Sequence, residues 1–329
     1  MTAPYSRIAP RSDVWGKAMT VCVAALAEQS GLFVASDRMK TSGLIQYEPE
    51  VSKIVPLTSS IVVLTAGDSQ LNTEIIASLQ DWVAAHVAAT PDVWIAVRDA
   101  VDWYVWQRQE LKRKAAEQYL LHPLGLTSAT FLAQENMSPD LVQEISRNLV
   151  NFPVAQTEVI IAGVDSSGTH IYSVRDGKVA YHNAVGFTAI GIGSWHVESE
   201  FMLSGHHPRR TIPETVSLVY RAKRRAETAP GVGEATDMGM MIQGLGSYVP
   251  VGTHIQDKLA KLYDKMRQQE ARARNRVHEE LDQYVRKLRQ ERAPPPTQES
   301  DGPDGPMDST GGGGPAALPA PESKQGDHA

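Results

Sequence analysis

The sequence contains few of the residues that define several large protein classes. Its 329 residues include a single cysteine, Cys22, so neither a disulfide framework within the chain nor a cysteine-rich metal site can form. Cys22 lies in an apolar run, which predicts a buried strand thiol rather than a reactive one. A reduced, cytoplasmic setting is the expected localisation.

An excess of one charge and long apolar runs are also missing. The formal net charge is −6, whereas a nucleic-acid-binding domain is typically clearly basic, so we expect no nucleic-acid partner. No stretch approaches the roughly 20 consecutive apolar residues that a membrane helix needs. Residues 1–18 include several charges and no apolar segment of the kind found in signal peptides. We therefore expect no membrane partner.

Composition divides the chain into four segments. Residues 1–18 show no periodicity and are interpreted as a flexible extension or a misassigned start. Residues 19–253 have the patterning of a globular domain. Residues 254–292 are highly charged with apolar positions near a/d spacing, which predicts a long amphipathic helix, either solvated or in a coiled coil. Residues 293–329 are rich in proline and glycine and are predicted to be disordered.

The globular segment alternates groups of strands with pairs of helices. Apolar and β-branched runs predict strands over 20–26 and 31–36 (a hairpin), 53–55, 61–64, 158–164, 170–174, 187–191 and 237–242. Helical spacing predicts helices over 70–88, from Pro91 towards Leu120, and over 139–150, 195–204 and 213–229. This order is typical of a layered α+β sandwich with helices on both outer faces, and it lacks the βαβ alternation of a doubly wound sheet.

The most specific motifs lie between residues 20 and 67. They are Thr20-Val21-Cys22-Val23-Ala24, Val34-Ala35-Ser36-Asp37-Arg38, Thr41-Ser42-Gly43, Lys53-Ile54 and Ala66-Gly67-Asp68. Together they resemble the leading half of a proteasome β-type subunit, and the related bacterial HslV and Anbu peptidases share this layout. The similarity resumes at Ile160–Asp165 and continues through Ala189–Ser194 to about residue 242. It therefore covers most of 19–242 and neither end of the chain.

This resemblance implies a fold and a function. The fold would be the four-layer αββα sandwich of the N-terminal-nucleophile hydrolases. The function would be a threonine-type endopeptidase that assembles as a homo-oligomer, in a ring or a related form. Its substrate would be a peptide or an unfolded polypeptide, and an ATP-dependent unfoldase is a possible partner. The resemblance implies no cofactor and no metal.

The resemblance also implies roles for individual residues. Thr20 would be the nucleophile, Asp37 and Lys53 would support it, and the backbone N–H of Gly67 would hold the oxyanion. A threonine hydroxyl needs a nearby base to become a strong nucleophile, and the α-amine of a terminal Thr20 could act as that base. The competing interpretation is that Thr20 is only a strand residue and that Asp37 and Lys53 form an ordinary ion pair.

The same register places candidate substrate-binding residues. The peptide would lie as an added strand against the backbones of Thr41 and Gly67. The specificity pocket would be bordered by Lys40, Val51, Val55 and Thr65.

The amine of Thr20 is available only if Thr20 is the first residue, and in this sequence 19 residues precede it. Translation from Met19 followed by removal of that methionine would expose it, and so would cleavage of a propeptide at Met19–Thr20. We expect the alternative start, because self-processing in the family usually follows a glycine.

Two positions depart from the active pattern of the family. The motif Gly-Ser-Gly-Ser stands here as Gly191-Ile192-Gly193-Ser194, and the motif Asp-x-x-Ser-Gly is matched only loosely by residues 227–231. Ser194 and Glu227 are candidates for the supporting residues, but Ile192 and Pro230 have no hydroxyl. Two alternatives therefore stay open. One is a catalytically inactive structural subunit of the same fold, and the other is an N-terminal-nucleophile amidase for a small non-peptide amide.

Overall fold

The computed structural model describes residues 19–42, 45–91, 93–133, 137–242 and 247–292. The predictions for 1–18 and 293–329 lie outside these residues. Among them the protein is α+β, with antiparallel sheets. No helix in this part of the chain has the length and apolar character required to cross a membrane.

The first sheet has the strand order β10-β1-β2-β11-β12. Its strands are β1 (Cys22–Ala27), β2 (Gly31–Asp37), β10 (Phe187–Ile190), β11 (Thr236–Met241) and β12 (Val249–Pro250). The predicted hairpin of β1 and β2 is confirmed, with Cys22 opposite Ser36 and Ala27 opposite Gly31. This register brings the start of β1 beside Asp37 at the end of β2.

The second sheet has the order β5-β6-β7-β8-β9 and is also antiparallel. Its strands are β5 (Ile54–Pro56), β6 (Ile61–Gly67), β7 (Thr157–Asp165), β8 (Gly168–Arg175) and β9 (Lys178–Tyr181). A separate two-stranded ribbon pairs β3 (Lys40–Ser42) with β4 (Ile45–Tyr47). The strands β3, β4, β9 and β12, which span two to four residues each, were not predicted.

Seven α-helices lie in the described residues. They are α1 (Ser69–Ala89), α2 (Val97–Leu120), α3 (Ser128–Ala133), α4 (Pro139–Val150), α5 (Ser194–Leu203), α6 (Ile212–Ala226) and α7 (Thr253–Glu291). The predicted helices near 70–88, 139–150 and 195–204 are confirmed, and the helix predicted over 213–229 ends at Ala226. The short α3 and a 3₁₀ turn at His122–Leu124 were not predicted.

The predicted start of the second helix at Pro91 is wrong, because α2 begins at Val97. Ala96 has an extended backbone and no side chain able to cap the helix. Instead, the Asp165 carboxylate accepts a hydrogen bond from the Val97 N–H at 2.9 Å. A carboxylate from a distant turn therefore satisfies one of the free N–H groups at this helix start.

The apolar side chains of the two sheets belong to three clusters, because alternate residues of a strand point to opposite faces of its sheet. Val21, just before β1, and Val23 and Ala25 within it pack with helices α5 and α6. The intervening Cys22, Ala24 and Leu26 pack against the second sheet. Because successive strand residues point to opposite faces, a strand buried on both sides is apolar throughout. The third cluster joins the other face of the second sheet to α1 and α2.

The chain divides into two compact units after Gln268, within α7. In the first unit, Ile255, Leu259 and Tyr263 of α7 pack against the cluster of β1, α5 and α6. In the second unit, α7 continues to Glu291 with exposed apolar side chains at Val277 and Leu281.

Candidate active site around Thr20

Thr20 lies two residues before the start of β1 and is only 3% exposed. Its hydroxyl donates a hydrogen bond to Asp37 Oδ1 and accepts one from Lys53 Nζ. The Thr20 carbonyl oxygen accepts from the Gly193 N–H at 3.2 Å. Both the side chain and the backbone of Thr20 are therefore fixed by neighbouring loops.

Asp37 is fully buried at the end of β2. Its Oδ1 accepts from the Val21 N–H at 3.0 Å. Its Oδ2 accepts from the N–H groups of Met39 at 3.1 Å and Gly233 at 3.0 Å. Backbone donors hold both oxygens, so the carboxylate has a fixed orientation towards Thr20.

Lys53 immediately precedes β5 and is 9% exposed. Its Nζ lies 2.8 Å from Asp37 Oδ1 and also donates to the Thr20 hydroxyl. The structure thus brings together three residues that lie up to 33 positions apart in sequence. A hydroxyl between a carboxylate and an ammonium group is the arrangement expected of an activated nucleophile.

Gly67 is the last residue of β6 and has a φ of +93°. A Cβ at this position would collide with the Gln156 carbonyl oxygen, so glycine is required both by backbone conformation and by space. The end of β6 lies near the start of β1, because the Cys22 thiol donates to the Thr65 carbonyl oxygen at 3.4 Å. Gly67 and Thr20 are therefore at the same end of the two packed sheets.

The predicted supporting residues are near this group but do not touch the Thr20 hydroxyl. Ser194 is buried at the start of α5, and its N–H donates to the Gly191 carbonyl oxygen at 3.1 Å. Glu227 follows α6 and pairs with Lys223 at 2.7 Å and Arg224 at 3.2 Å. Ile192 packs against the cluster of β1, α5 and α6, and Pro230 is exposed.

The predicted substrate-binding residues are spread over three strands and a loop. Lys40 and Thr41 lie on β3, with Lys40 half-buried and Thr41 exposed. Val51 is 54% exposed in the segment before β5. Val55 is half-buried and packs with the cluster beneath α1 and α2, and Thr65 is half-buried on β6. The structure therefore places Val55 against helices on the outer face of the second sheet.

Cys22 confirms the prediction of a buried strand thiol. Burial raises the pKa of this thiol to about 12. Because the thiolate is the nucleophilic form, Cys22 is inert at neutral pH. Within the described residues, no group of three or more histidine, cysteine or acidic side chains is arranged to bind a metal ion.

Lys223, a fully buried lysine on α6, was not predicted from the sequence to belong to the site. Burial lowers the pKa of Lys223, and burial also raises the pKa of its partner Glu227. The available signal was its position on the apolar face of α6, since it follows the buried Val219 by four residues and precedes the buried Ala226 by three.

Comparison of the chain with known proteins gives no family assignment. No family model matches the sequence, and no curated protein is significantly similar to it.

Proposed function

We propose that this protein is a threonine-type peptidase of the N-terminal-nucleophile class, similar to proteasome β-type subunits. The observation that supports this most strongly is the placement of the Thr20 hydroxyl between the buried Asp37 carboxylate and the buried Lys53 ammonium group. Two antiparallel sheets packed face to face, with helix pairs on their outer faces, agree with the αββα sandwich of that class.

The reaction would begin at the Thr20 hydroxyl. In a chain whose first residue is Thr20, the α-amine has a reference pKa near 8 and accepts the hydroxyl proton directly or through water. Oγ1 then attacks the peptide carbonyl carbon, and the negative charge on the carbonyl oxygen is stabilised by the Gly67 N–H. Lys53 provides a positive charge beside Oγ1 throughout.

Two products leave in sequence. Cleavage of the C–N bond, with a proton returned to nitrogen, releases the amine and leaves an ester on Thr20. Water then attacks the ester, releases the carboxylic acid and restores the hydroxyl. The substrate would lie as an added strand along Thr41 and Gly67, in a homo-oligomeric ring or related assembly, with an unfoldase supplying unfolded polypeptide.

The proposed activity requires the chain to begin at Thr20. The test is to express residues 19–329, confirm by mass spectrometry that Met19 has been removed, and measure hydrolysis of fluorogenic peptides. We expect activity in this form, and its loss in Thr20→Ala. We also expect a loss of at least about 100-fold in Lys53→Met, the lower range for removing one group that stabilises charge in the transition state.

Thr73→Ala is the matched control, because Thr73 is exposed on α1 and its hydroxyl bonds only within the helix. It should retain full activity. A folded protein with Thr20 as its first residue that hydrolyses no peptide would contradict the proposal.

A structural subunit without catalysis is the second candidate function. It is favoured by Ile192, whose apolar side chain packs with β1, α5 and α6 where the resembled family has a serine. This candidate predicts an oligomer that forms equally well in the parent chain and in the Thr20→Ala variant, and no turnover in either.

A further inference from the structure

The Lys223 side chain is fully buried. Each of the three N–H groups of its ammonium donates a hydrogen bond to an oxygen atom. Nζ donates to Glu227 Oε1 at 2.7 Å, to the Gly233 carbonyl oxygen at 2.9 Å and to the Glu234 carbonyl oxygen at 2.8 Å. Lysine is rarely fully buried, and an ammonium group has three N–H donors. The pocket around Nζ therefore matches a lysine side chain in number and position of acceptors.

Gly233 links this lysine to the group around Thr20. Its carbonyl oxygen accepts from Lys223, while its N–H donates to Asp37 Oδ2 at 3.0 Å. The other carboxylate oxygen of Asp37 contacts Lys53 and the Thr20 hydroxyl. A continuous series of hydrogen bonds thus runs from α6 to Thr20.

Stability alone does not account for this lysine. Burial lowers the pKa of Lys223 and raises that of Glu227, so both charges are held against a desolvation cost. Replacement of a buried ion pair by apolar side chains is often neutral or stabilising. A position on the apolar face of α6 would accept such a side chain, which suggests that the charge has another use.

We propose that Lys223 is a positioning residue, which fixes the loop at Gly233 and Glu234 so that the Gly233 N–H orients Asp37 towards Thr20. This inference rests on the proposed peptidase function. Misplacement of a reacting group by about 1 Å can lower a rate by about 100-fold, so a small shift of Asp37 is enough to affect catalysis. Lys223 itself touches neither Thr20 nor Asp37 through a hydrogen bond.

The test uses the chain that begins at Thr20 and compares it with two variants. Lys223→Met removes the charge but leaves Glu227 without its closest cation. The double variant Lys223→Met, Glu227→Gln removes both charges, so no unpaired carboxylate remains buried. Lys178→Met, at an exposed position on β9, is the matched control.

We expect the double variant to fold, with kcat for peptide hydrolysis reduced about 10- to 100-fold and KM changed less than about threefold. Lys178→Met should leave both constants unchanged. A double variant with the kcat of the parent chain would overturn the positioning role. A double variant that does not fold would also overturn it, because the Lys223–Glu227 ion pair would then be required for folding. An inactive parent chain would instead contradict the proposed function itself.

Discussion

The group around Thr20 joins two opposite charges that are almost completely removed from water. Asp37 is fully buried and Lys53 is 9% exposed. The effective cost of burying an ion is several kcal/mol, and it is offset only where hydrogen bonds are well formed. Here backbone N–H groups and the Thr20 hydroxyl provide these bonds. The arrangement is more readily explained by chemistry at Thr20 than by stability.

Gly67 allows the backbone requirement at the site to be tested separately from catalysis. Alanine at this position would adopt a φ of +93° and collide with the Gln156 carbonyl oxygen. We expect Gly67→Ala to lower the free energy of unfolding by more than about 2 kcal/mol, because strain and collision add together. Urea denaturation measures this change.

Gly125→Ala is the matched control, since Gly125 also has a positive φ, of +72°, and no atom lies within 4 Å of the added Cβ. Gly125→Ala should lower the free energy of unfolding only by the cost of the left-handed backbone conformation, about 1 kcal/mol. Equal losses in the two variants would show that the collision at Gly67 is relieved without cost.

His206 gives the fold a dependence on pH. Its ring lies edge-on to Phe187 and Phe201, with ring centroids 5.8 and 5.0 Å away. Burial lowers the pKa of His206 from 6.5 to about 4. Between these values the unfolded chain binds a proton that the folded protein does not, so stability falls as the pH drops from 6.5 towards 4.

We expect His206→Gln to flatten this acid dependence of the melting temperature. His207→Gln, at the exposed neighbouring position, should retain it. Melting curves recorded between pH 4 and 7 test this prediction. If the melting temperature of His206→Gln depends on pH as steeply as that of the parent chain, other groups titrate in this range.

Thr20, Asp37, Lys53 and Gly67 were predicted from the sequence because their motifs resemble those of proteasome β-type subunits, and the structure brings the first three into contact. Lys223 was missed because its partners, Glu227 and the carbonyls at 233 and 234, form a site only when α6 and the following loop are folded together. Val55 was predicted to border a specificity pocket, and that role stays a prediction. Its side chain packs with the cluster beneath α1 and α2, a direction that depends on the face of the strand.

At the scale of elements, periodicity predicted most long strands and helices, because their apolar positions repeat over several turns or pleats. The start of α2 could not be predicted in this way. Proline at position 91 is a common opening for a helix, but the capping carboxylate comes from Asp165, 68 residues further along the chain. Short strands such as β9 have too few residues to show a period.

The long helix α7 has two parts that we expect to contribute differently to stability. Ile255, Leu259 and Tyr263 pack on the core of the first unit, whereas the second unit begins after Gln268. A chain that ends at Gln268 should therefore melt within a few degrees of the full chain. A chain that ends at Gly252 exposes the apolar surface beneath those residues and should melt at least about 5 °C lower.

Calorimetry of the three chains tests this division. If truncation at Gln268 lowers the melting temperature as much as truncation at Gly252, then residues beyond 268 stabilise the first unit and the two parts of α7 are not separable.

At the scale of the whole molecule, the two sheets bring distant strand ends together at one edge. Thr20 precedes β1 and Asp37 ends β2 in the first sheet, while Lys53 precedes β5 and Gly67 ends β6 in the second. A site assembled from both sheets depends on their packing through the cluster that includes Cys22, Ala24 and Leu64. Local sequence alone does not specify this packing, so the site was predicted only through the resemblance of its motifs to those of proteasome β-type subunits.

The proposed function requires that Thr20, as the first residue, acts as the nucleophile. The most direct measurement is to treat the chain that begins at Thr20 with an electrophilic peptide inhibitor and to locate the covalent adduct by peptide mass spectrometry. We predict a stoichiometric adduct on Thr20, abolished in Thr20→Ala and strongly slowed in Lys53→Met. A folded protein that forms no adduct, or forms it on another residue, would contradict the role of Thr20 as the nucleophile.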